Sequence, residues 1–329
     1  MAVNFALTTL TTLTTVTIRR CSGRQHLENN QEEIMENRVL CPLHLTTSGW
    51  IIAVLIAVIM FSGSGQLIAL AAPETAITVN SFSDAVDANP GDGVCATATG
   101  VCTLRAAIQE ANALPGDDVI ILRTGIYTLS ILGRNEDNSA TGDLDIRSNI
   151  AIRGAGSDVT TITAAQIDRI FHLLSGTILI EGVTLSNGLA DGISSQGDGG
   201  AIYAAVGVNL TLVESKLLSN EAVHWGGGLY MDQGVVALVD HCTFGQNKAG
   251  ELGGGLDNYN GTATIVESAF LNNQAGNSGG GLYNDANGVL TLNRVTVSNN
   301  TASVDGAGLY NDGGRGLSTG SLTVNNTTF

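Results

Sequence analysis

Positive charge is scarce in this sequence. Only 14 residues are Lys or Arg, against 30 Asp or Glu, and the formal net charge at pH 7 is −16. The lysines are Lys216 and Lys248, and residues 1–72 are balanced in charge, so the acidic excess belongs to the rest of the chain. Binding to nucleic acid or to anionic lipid depends on basic groups that neutralise phosphates. We therefore expect neither partner.

Motifs of several enzyme classes are also absent from the sequence. There is no glycine motif for nucleotides, no His/Cys spacing typical of zinc sites and no Gly-x-Ser-x-Gly nucleophile elbow. Charged residues form only 13% of the chain, and the repeats described below lack the apolar spacing of an amphipathic helix. We expect no nucleotide and no organic cofactor.

A glycine-rich phrase, most often Gly-Gly-Gly-Leu-Tyr, recurs through the second half of the chain. Its last residue is Tyr203, Tyr230, Asp257, Tyr283 and Tyr310, at steps of 27, 27, 26 and 27 residues. A period of this length is typical of solenoids, whose units bury their apolar faces only by stacking. The intervening runs are short and β-branched. They predict an all-β fold, a right-handed parallel β-helix of about eight coils of roughly 27 residues each, over residues 119–329.

A second phrase places an apolar residue three positions before an asparagine in each coil. These asparagines are Asn220, Asn247, Asn273 and Asn300. Because strand side chains alternate between the two faces, the apolar residues predict inward columns, and stacked amides can form a ladder along the axis. An odd offset between two inward columns requires a bend, which we place at Glu214, His241, Glu267 and Arg294.

The N-terminal region has the features of an export signal. Residues 50–61 are apolar, and a small-x-small pattern typical of signal-peptidase sites follows at residues 69–71. We interpret residues 1–49 as a disordered leader or an over-extended start, with Met35 as the other start, and residues 50–72 as the hydrophobic region of a signal peptide. The alternative is that residues 50–72 remain as a membrane anchor.

Residues 73–118 have the features of an N-terminal cap. Cys95 and Cys102 suggest a small disulfide loop, with free thiols or a pair of metal ligands as the alternatives. Residues 103–113 predict an amphipathic helix that begins at Thr103 and ends before Pro115. A solenoid end exposes strand edges and core side chains, so this helix is expected to cover the first coil.

The runs Ile-Thr-Val-Asn (77–80), Asp-Gly-Val-Cys (92–95) and Cys-Thr-Leu-Arg-Ala-Ala-Ile (102–108) resemble the CSLREA domain, found at the start of exported bacterial β-helix proteins. Thr103 and Ala106 replace the family's Ser and Glu, which leaves half of a capping box. Gly-Gly-Ala-Ile (199–202) and the Phe-x-x-Asn pairs at 244/247 and 270/273 resemble repeats of polymorphic outer-membrane proteins. The resemblance implies an exported protein of the extracellular space, cell surface or outer membrane, often with an adhesive role.

Polysaccharide lyases and hydrolases also occur on parallel β-helices, so two acidic columns are candidate catalytic sites. Asp285 and Asp312 take the same position in successive coils, where two carboxylates can share a cation or raise one another's pKa. The alternative is an Asn-Asp turn signal. The corner residues Glu214, His241 and Glu267 could act in acid–base chemistry, or could form a ladder of complementary charges.

Two further features bear on ligands. Asp87, Asn89 and Asp92 lie in a glycine turn and form a weak calcium candidate, because their spacing misses the EF-hand pattern. The recurring tyrosines are either a packed aromatic stack or, if exposed, a surface on which sugar rings stack.

These observations predict an exported β-helix protein that acts as a structural or adhesive surface towards glycans or surface proteins, with no evident catalytic activity. The alternative is a calcium-dependent polysaccharide lyase or glycoside hydrolase on the same fold. Phe329 falls inside a coil, so we expect a truncated piece of a longer protein, whose open end permits self-association.

Overall fold

The computed structural model describes residues 75–285, 287–312 and 320–329, all within one compact unit, Ala69–Phe329. The predicted leader and the hydrophobic segment 50–72 lie outside the described residues. Among the residues described, no helix is both long enough and apolar enough to cross a membrane.

The described strands form four parallel sheets in which the chain returns to each sheet once per coil. The long sheet contains Thr75–Thr78, Asp117–Ile121, Asn149–Arg153, Thr177–Glu181, Asn209–Val213, Val236–Asp240, Thr262–Val266, Val289–Asn293 and Ser321–Asn325. The phenylalanine sheet contains Gly125–Thr128, Thr160–Thr163, Thr184–Ser186, Lys216–Leu218, Thr243–Gly245, Ala269–Leu271 and Thr296–Ser298. Both sheets pair in exact register from one coil to the next through the repeats.

Two sheets complete each coil. The short sheet contains Leu189–Ala190, Glu221–Ala222, Lys248–Ala249, Gln274–Ala275 and Thr301–Ala302. The tyrosine sheet contains Leu144–Ile146, Phe171–Leu173, Ile202–Ala204, Leu229–Met231, Leu256–Asn258, Leu282–Asn284 and Leu309–Asn311. A short 3₁₀ helix, Ser194–Gly197, lies between the short and tyrosine sheets in one coil. The predicted parallel β-helix is confirmed, with the eighth coil begun by Ser321–Asn325.

The interior of the coils is filled by the apolar columns that the sequence indicated. Phe244 and Phe270 are fully buried and stack with ring centroids 4.5 Å apart. The second inward column is equally buried: Leu212, Val239, Ile265 and Leu292. The bend between the two columns is real, because Glu214, His241, Glu267 and Arg294 all have φ between 44° and 56°. This left-handed conformation turns the chain from the long sheet into the phenylalanine sheet.

An asparagine ladder lies where the phenylalanine sheet ends. Nδ2 of Asn220 donates to Oδ1 of Asn247 at 3.0 Å, and Asn247 and Asn273 repeat the contact with the next coil at 3.0 and 2.9 Å. Each acceptor oxygen also receives a backbone N–H, for example that of Asn220 at 3.1 Å. The amides are 8% exposed or less. Burial is tolerated because each amide is satisfied by the coil on either side.

The N-terminal cap is a helix, Leu104–Ala113, packed over the first coil. Thr103 caps its start by accepting the N–H of Ala106 at 3.1 Å, as the half capping box predicts. The helix carries a buried ion pair, because Nε of Arg105 lies 2.6 Å from Oδ1 of Asp84 and both side chains are at most 1% exposed. Cys95 and Cys102 form a disulfide, with Cα atoms 5.1 Å apart.

Candidate functional site

The middle residues of the tyrosine sheet form a single column along the coil axis. Parallel pairing aligns Asp145, His172, Tyr203, Tyr230, Asp257, Tyr283 and Tyr310. The residues on either side of each, such as Ile202 and Ala204, belong to the apolar core, so this column faces outward. We call it the outward column. Most of its members are nevertheless buried, which shows that other segments of the chain cover it.

Aromatic rings occupy the centre of the outward column. Tyr203 and Tyr230 stack at 5.3 Å, as the packed alternative for the tyrosines predicted. Two rings from outside the column extend this stack: Trp225 lies 5.9 Å from Tyr230, and Tyr259 lies 6.5 Å from both. The three ring planes differ by 15–27°. Tyr259 is 38% exposed, so the group, which we call the aromatic platform (Trp225, Tyr230 and Tyr259), reaches solvent.

Carboxylates border the aromatic rings. The hydroxyl of Tyr203 donates to Oδ2 of Asp232 at 2.8 Å, and that of Tyr283 donates to Oδ2 of Asp312 at 3.3 Å. Thus Asp312, a residue of the first acidic column, binds a tyrosine of the preceding coil. Burial raises the pKa of both tyrosine hydroxyls, and these carboxylates raise the pKa further.

Asp257 takes the place of a tyrosine in the outward column. It is 2% exposed, and burial raises the pKa of its carboxyl well above the usual range. The negative charges of Asp285 and Asp198 raise this pKa further. Burial and the nearby carboxylates therefore both favour the protonated form of the Asp257 carboxyl.

An acidic cluster lies at the N-terminal end of the same column. Asp143, Asp145 and Asp168 are at most 6% exposed, and burial is the largest cause that raises the pKa of each. Arg169, also buried, lies 3.1 Å from Oδ2 of Asp143 through Nε. Its guanidinium carbon is 5.3 Å from the centre of the Tyr203 ring, which is a cation–π contact. Arg169 thus links the acidic cluster to the aromatic ring of Tyr203.

One part of the acidic cluster has the ligand types of a metal site. Oδ1 of Asp145 lies 3.3 Å from Nδ1 of His172, and Oδ1 of Asp137 lies 3.7 Å from the same nitrogen. In the part of the chain that the structure describes, these residues are the single group of three or more His, Cys, Asp or Glu with ligand atoms within 4.8 Å of one another.

The corner column forms a chain of ion pairs on the surface. Nδ1 of His241 lies 2.7 Å from Asp240 and Nε2 lies 2.7 Å from Glu267, while Nε of Arg294 donates to Glu267 at 2.8 Å. The hydrogen bond to Asp240 is the main cause that raises the pKa of His241, and Arg294 lowers the pKa of Glu267. Glu214 occupies the corresponding corner one coil earlier. This geometry favours the charge-ladder interpretation; a catalytic role for these residues stays a prediction.

The calcium candidate is a turn stabilised by its own carboxylates. Asp87 accepts the N–H of Asn89 at 2.8 Å and that of Ala96 at 3.0 Å, and Asp92 accepts the N–H of Val94 at 2.9 Å. These bonds explain the Asp and Asn residues without a cation, so calcium binding here stays a prediction.

A shallow groove of about 470 Å³ lies elsewhere, on the outer face of the long sheet. It is lined by residues of four successive coils, among them Asn149, Thr177 and Thr211. Its lining also includes Asp117, Asp118 and Arg153, but no residue of the outward column.

Sequence reasoning missed the acidic cluster. His172 and Asp145 stand in the triplets Phe-His-Leu and Leu-Asp-Ile, which match the pattern of Ile-Tyr-Ala at residues 202–204. Extending the tyrosine column two coils upstream would have placed them on it. The glycine phrase, which marks the column in later coils, does not precede either triplet.

A family model for the Chlamydia polymorphic membrane protein repeat matches residues 267–285. This segment runs from the corner at Glu267 through the ladder residue Asn273 to Asp285. The match supports the predicted resemblance to polymorphic membrane protein repeats over this part of one coil; the CSLREA resemblance stays a prediction. No curated protein and no solved structure matches the chain.

Proposed function

We propose that this protein is a surface-displayed β-helix that binds neutral glycans through the aromatic platform and the carboxylates beside it. Surface display is supported by the match to a membrane protein repeat and by the export features of the sequence. The observation that carries the binding proposal is the near-parallel group of Trp225, Tyr230 and Tyr259, with Tyr259 open to solvent.

The chemistry of the platform suits a sugar. Aromatic faces offer a flat apolar surface, and the polar groups around them can accept hydrogen bonds from hydroxyls. Nε1 of Trp225 donates to Glu251 at 3.1 Å, which fixes the orientation of the indole. The net charge of −16 disfavours anionic polysaccharides through repulsion, so neutral glycans are the class proposed.

Binding to a panel of neutral and acidic oligosaccharides tests this proposal. We expect neutral glycans to bind, and Tyr259→Ala or Trp225→Ala to weaken binding by about tenfold or more, as for aromatic hot spots. Phe82→Ala is the matched control, because Phe82 is an exposed aromatic residue in the N-terminal region. Equal binding by all three variants, or binding of acidic glycans only, would contradict the proposal.

Asp257 favours a second candidate, a glycoside hydrolase that acts on the same ligand. Glycoside hydrolysis uses two carboxyl groups, of which the general acid has a raised pKa. Burial raises the pKa of Asp257, and the charges of Asp285 and Asp198 raise this pKa further. A screen for new reducing ends, with and without calcium, separates the candidates. Turnover that Asp257→Asn abolishes would establish the enzyme, whereas binding without turnover supports the non-enzymatic surface.

A further inference from the structure

We propose that Asp137, Asp145 and His172 bind a divalent transition-metal ion, with zinc as the best fit. The site lies at the N-terminal end of the outward column and is separate from the aromatic platform. Two independent features of the structure support it: the spacing of the ligand atoms, and a buried carboxylate oxygen that has no hydrogen bond.

The distances match a metal coordination shell. Zinc binds His nitrogen and carboxylate oxygen at about 2.0–2.2 Å in tetrahedral geometry, which places neighbouring ligand atoms about 3.3–3.6 Å apart. Oδ1 of Asp145 and Oδ1 of Asp137 lie 3.3 and 3.7 Å from Nδ1 of His172. Three protein ligands leave a fourth position for water or another ligand, an arrangement typical of open zinc sites.

The buried oxygen is Oδ1 of Asp145. The residue is fully buried, and its contact with Nδ1 of His172 at 3.3 Å does not have the geometry of a hydrogen bond. The other oxygen, Oδ2, accepts the N–H of Ser139 at 2.7 Å, which fixes the carboxylate with Oδ1 directed at His172. A second-shell contact of this kind orients a ligand towards its metal. A buried carboxylate oxygen without a hydrogen bond is costly, and a cation between this oxygen and the imidazole of His172 would remove that cost.

Further carboxyl groups surround the site. Asp143, Asp145 and Asp168 are buried together with the guanidinium of Arg169. Arg105, which also reaches the region, is bound to Asp84. The ligand set of one imidazole and two carboxylates suits zinc and its neighbours better than calcium, which binds oxygen ligands only.

Asp137 comes from the loop before the tyrosine sheet, and its neighbours hold it in place. Glu136 accepts the N–H groups of Asn138, Ala140 and Thr141 at 2.7–2.8 Å. Asp137 itself is 62% exposed at its side chain. It can thus close the site from the solvent side without a change in the core.

Zinc titration of the full chain, followed by calorimetry, tests the proposal. The titration uses a Cys21→Ser, Cys41→Ser background, because thiolates outside the described residues also bind zinc. We expect one zinc equivalent to be lost in His172→Ala and in Asp145→Asn. The matched control is His241→Ala, since His241 also contacts two carboxylates, but through opposite ring nitrogens that cannot both bind one ion.

Asp137→Asn keeps the test decisive if a buried substitution prevents folding. This exposed change should leave the far-ultraviolet circular dichroism intact and weaken zinc binding by at least about tenfold, as the loss of a ligand requires. Bound zinc should also raise the melting temperature of the background protein but not of His172→Ala. Absence of zinc binding, or equal zinc binding by His172→Ala, Asp137→Asn and His241→Ala, would overturn the proposal.

Discussion

The later coils and the earlier coils use the same sheets in different ways. In the later coils the repeat is tight: 27 residues separate Asn209 from its partner Val236 in the long sheet. Earlier, 32 residues separate Asp117 from its partner Asn149. The additional residues form loops outside the coils, and these loops carry Asp137, Ser139 and Asp143. Regular coils thus stack identical side chains, whereas the irregular coils bring unlike side chains together.

This difference determines how each region satisfies its buried polar groups. In the later coils the asparagine ladder repeats one hydrogen bond from coil to coil, and its members are neutral. In the earlier coils and the cap, ionisable side chains are buried, as in the pair of Arg105 with Asp84 and the cluster around Arg169. Neutral amides that hydrogen-bond to one another can be buried at little cost in free energy. A buried charged group is costly unless it has an oppositely charged or hydrogen-bonding partner.

The largest effect is expected from Arg105→Ala in the cap. The guanidinium also donates to the carbonyls of Ser139, Gly142 and Asp143 at 2.7–3.1 Å, so its loss leaves Asp84 and three carbonyls without this partner. Breaking a buried ion pair costs about 3–5 kcal/mol of unfolding free energy, which urea denaturation would measure.

The control for Arg105 is Arg294→Ala in the exposed corner. Arg294 binds Glu267, with its side chain 50% exposed. Exposed pairs contribute about 0.2–1 kcal/mol, so this variant should unfold close to wild type. Equal losses of unfolding free energy in Arg105→Ala and Arg294→Ala would contradict the distinction between the cap and the repeated coils.

An intermediate effect is expected from Asn247→Ala in the ladder. The change removes a hydrogen-bond partner from the carbonyl of Leu217 and from the backbone N–H of Asn220. It also removes the partner of the side-chain amides of Asn220 and Asn273. Unsatisfied buried groups cost about 1–3 kcal/mol each, and partial relaxation should hold the total near 2–3 kcal/mol in urea denaturation. Gln274→Ala, an exposed change in the next coil, is the control. If Asn247→Ala loses less unfolding free energy than Gln274→Ala, the ladder contributes nothing to stability.

The smallest expected effect is the change in stability with pH that Asp198 causes. Burial raises the pKa of Asp198 from its ordinary value of 3.8 to about 6. A raised carboxyl pKa means that the folded state holds more protons, so the contribution of Asp198 to stability falls as pH rises from about 4 to about 6. The attraction of His224 and Arg169 for the ionised carboxylate opposes this rise, and we expect a net effect of about 1–2 kcal/mol.

The substitution Asp198→Asn should remove this pH dependence. We expect the variant to gain stability relative to wild type at pH 7 and to differ little from it at pH 4, in urea denaturation at both pH values. Parallel stability curves for the two proteins across this range would contradict the assigned pKa.

The repeated part of the fold was predictable residue by residue. The period of the glycine phrase located the coils, and the odd offset between two apolar columns located the corner at His241 and Glu267. These features are local and recur in each coil, so each pattern can be checked several times within one sequence. The cap helix was predictable for a related reason, since Thr103 and the apolar face of residues 104–111 are contiguous signals.

The candidate sites were less predictable, because they depend on departures from the repeat. The sequence indicated acidic columns at Asp285 and Asp312, and the structure brings Asp312 to the hydroxyl of Tyr283. No pattern in the sequence indicated that Asp257 would be buried close to Asp285. Trp225 and Tyr259 lie outside the glycine phrase, and only the packed structure brings both rings to Tyr230.

The sequence by itself determined the parallel β-helix, its coil length, its corners and its asparagine ladder, because each follows from a pattern that repeats. Only the tertiary structure decided that the outward column is largely buried and that His172 meets Asp145 and Asp137. Parallel strands place residues one coil apart about 4.8 Å from each other, so 27 positions of sequence separate Asp145 from the imidazole beside it. The inserted loop then supplies Asp137, and no local pattern encodes where such a loop folds back.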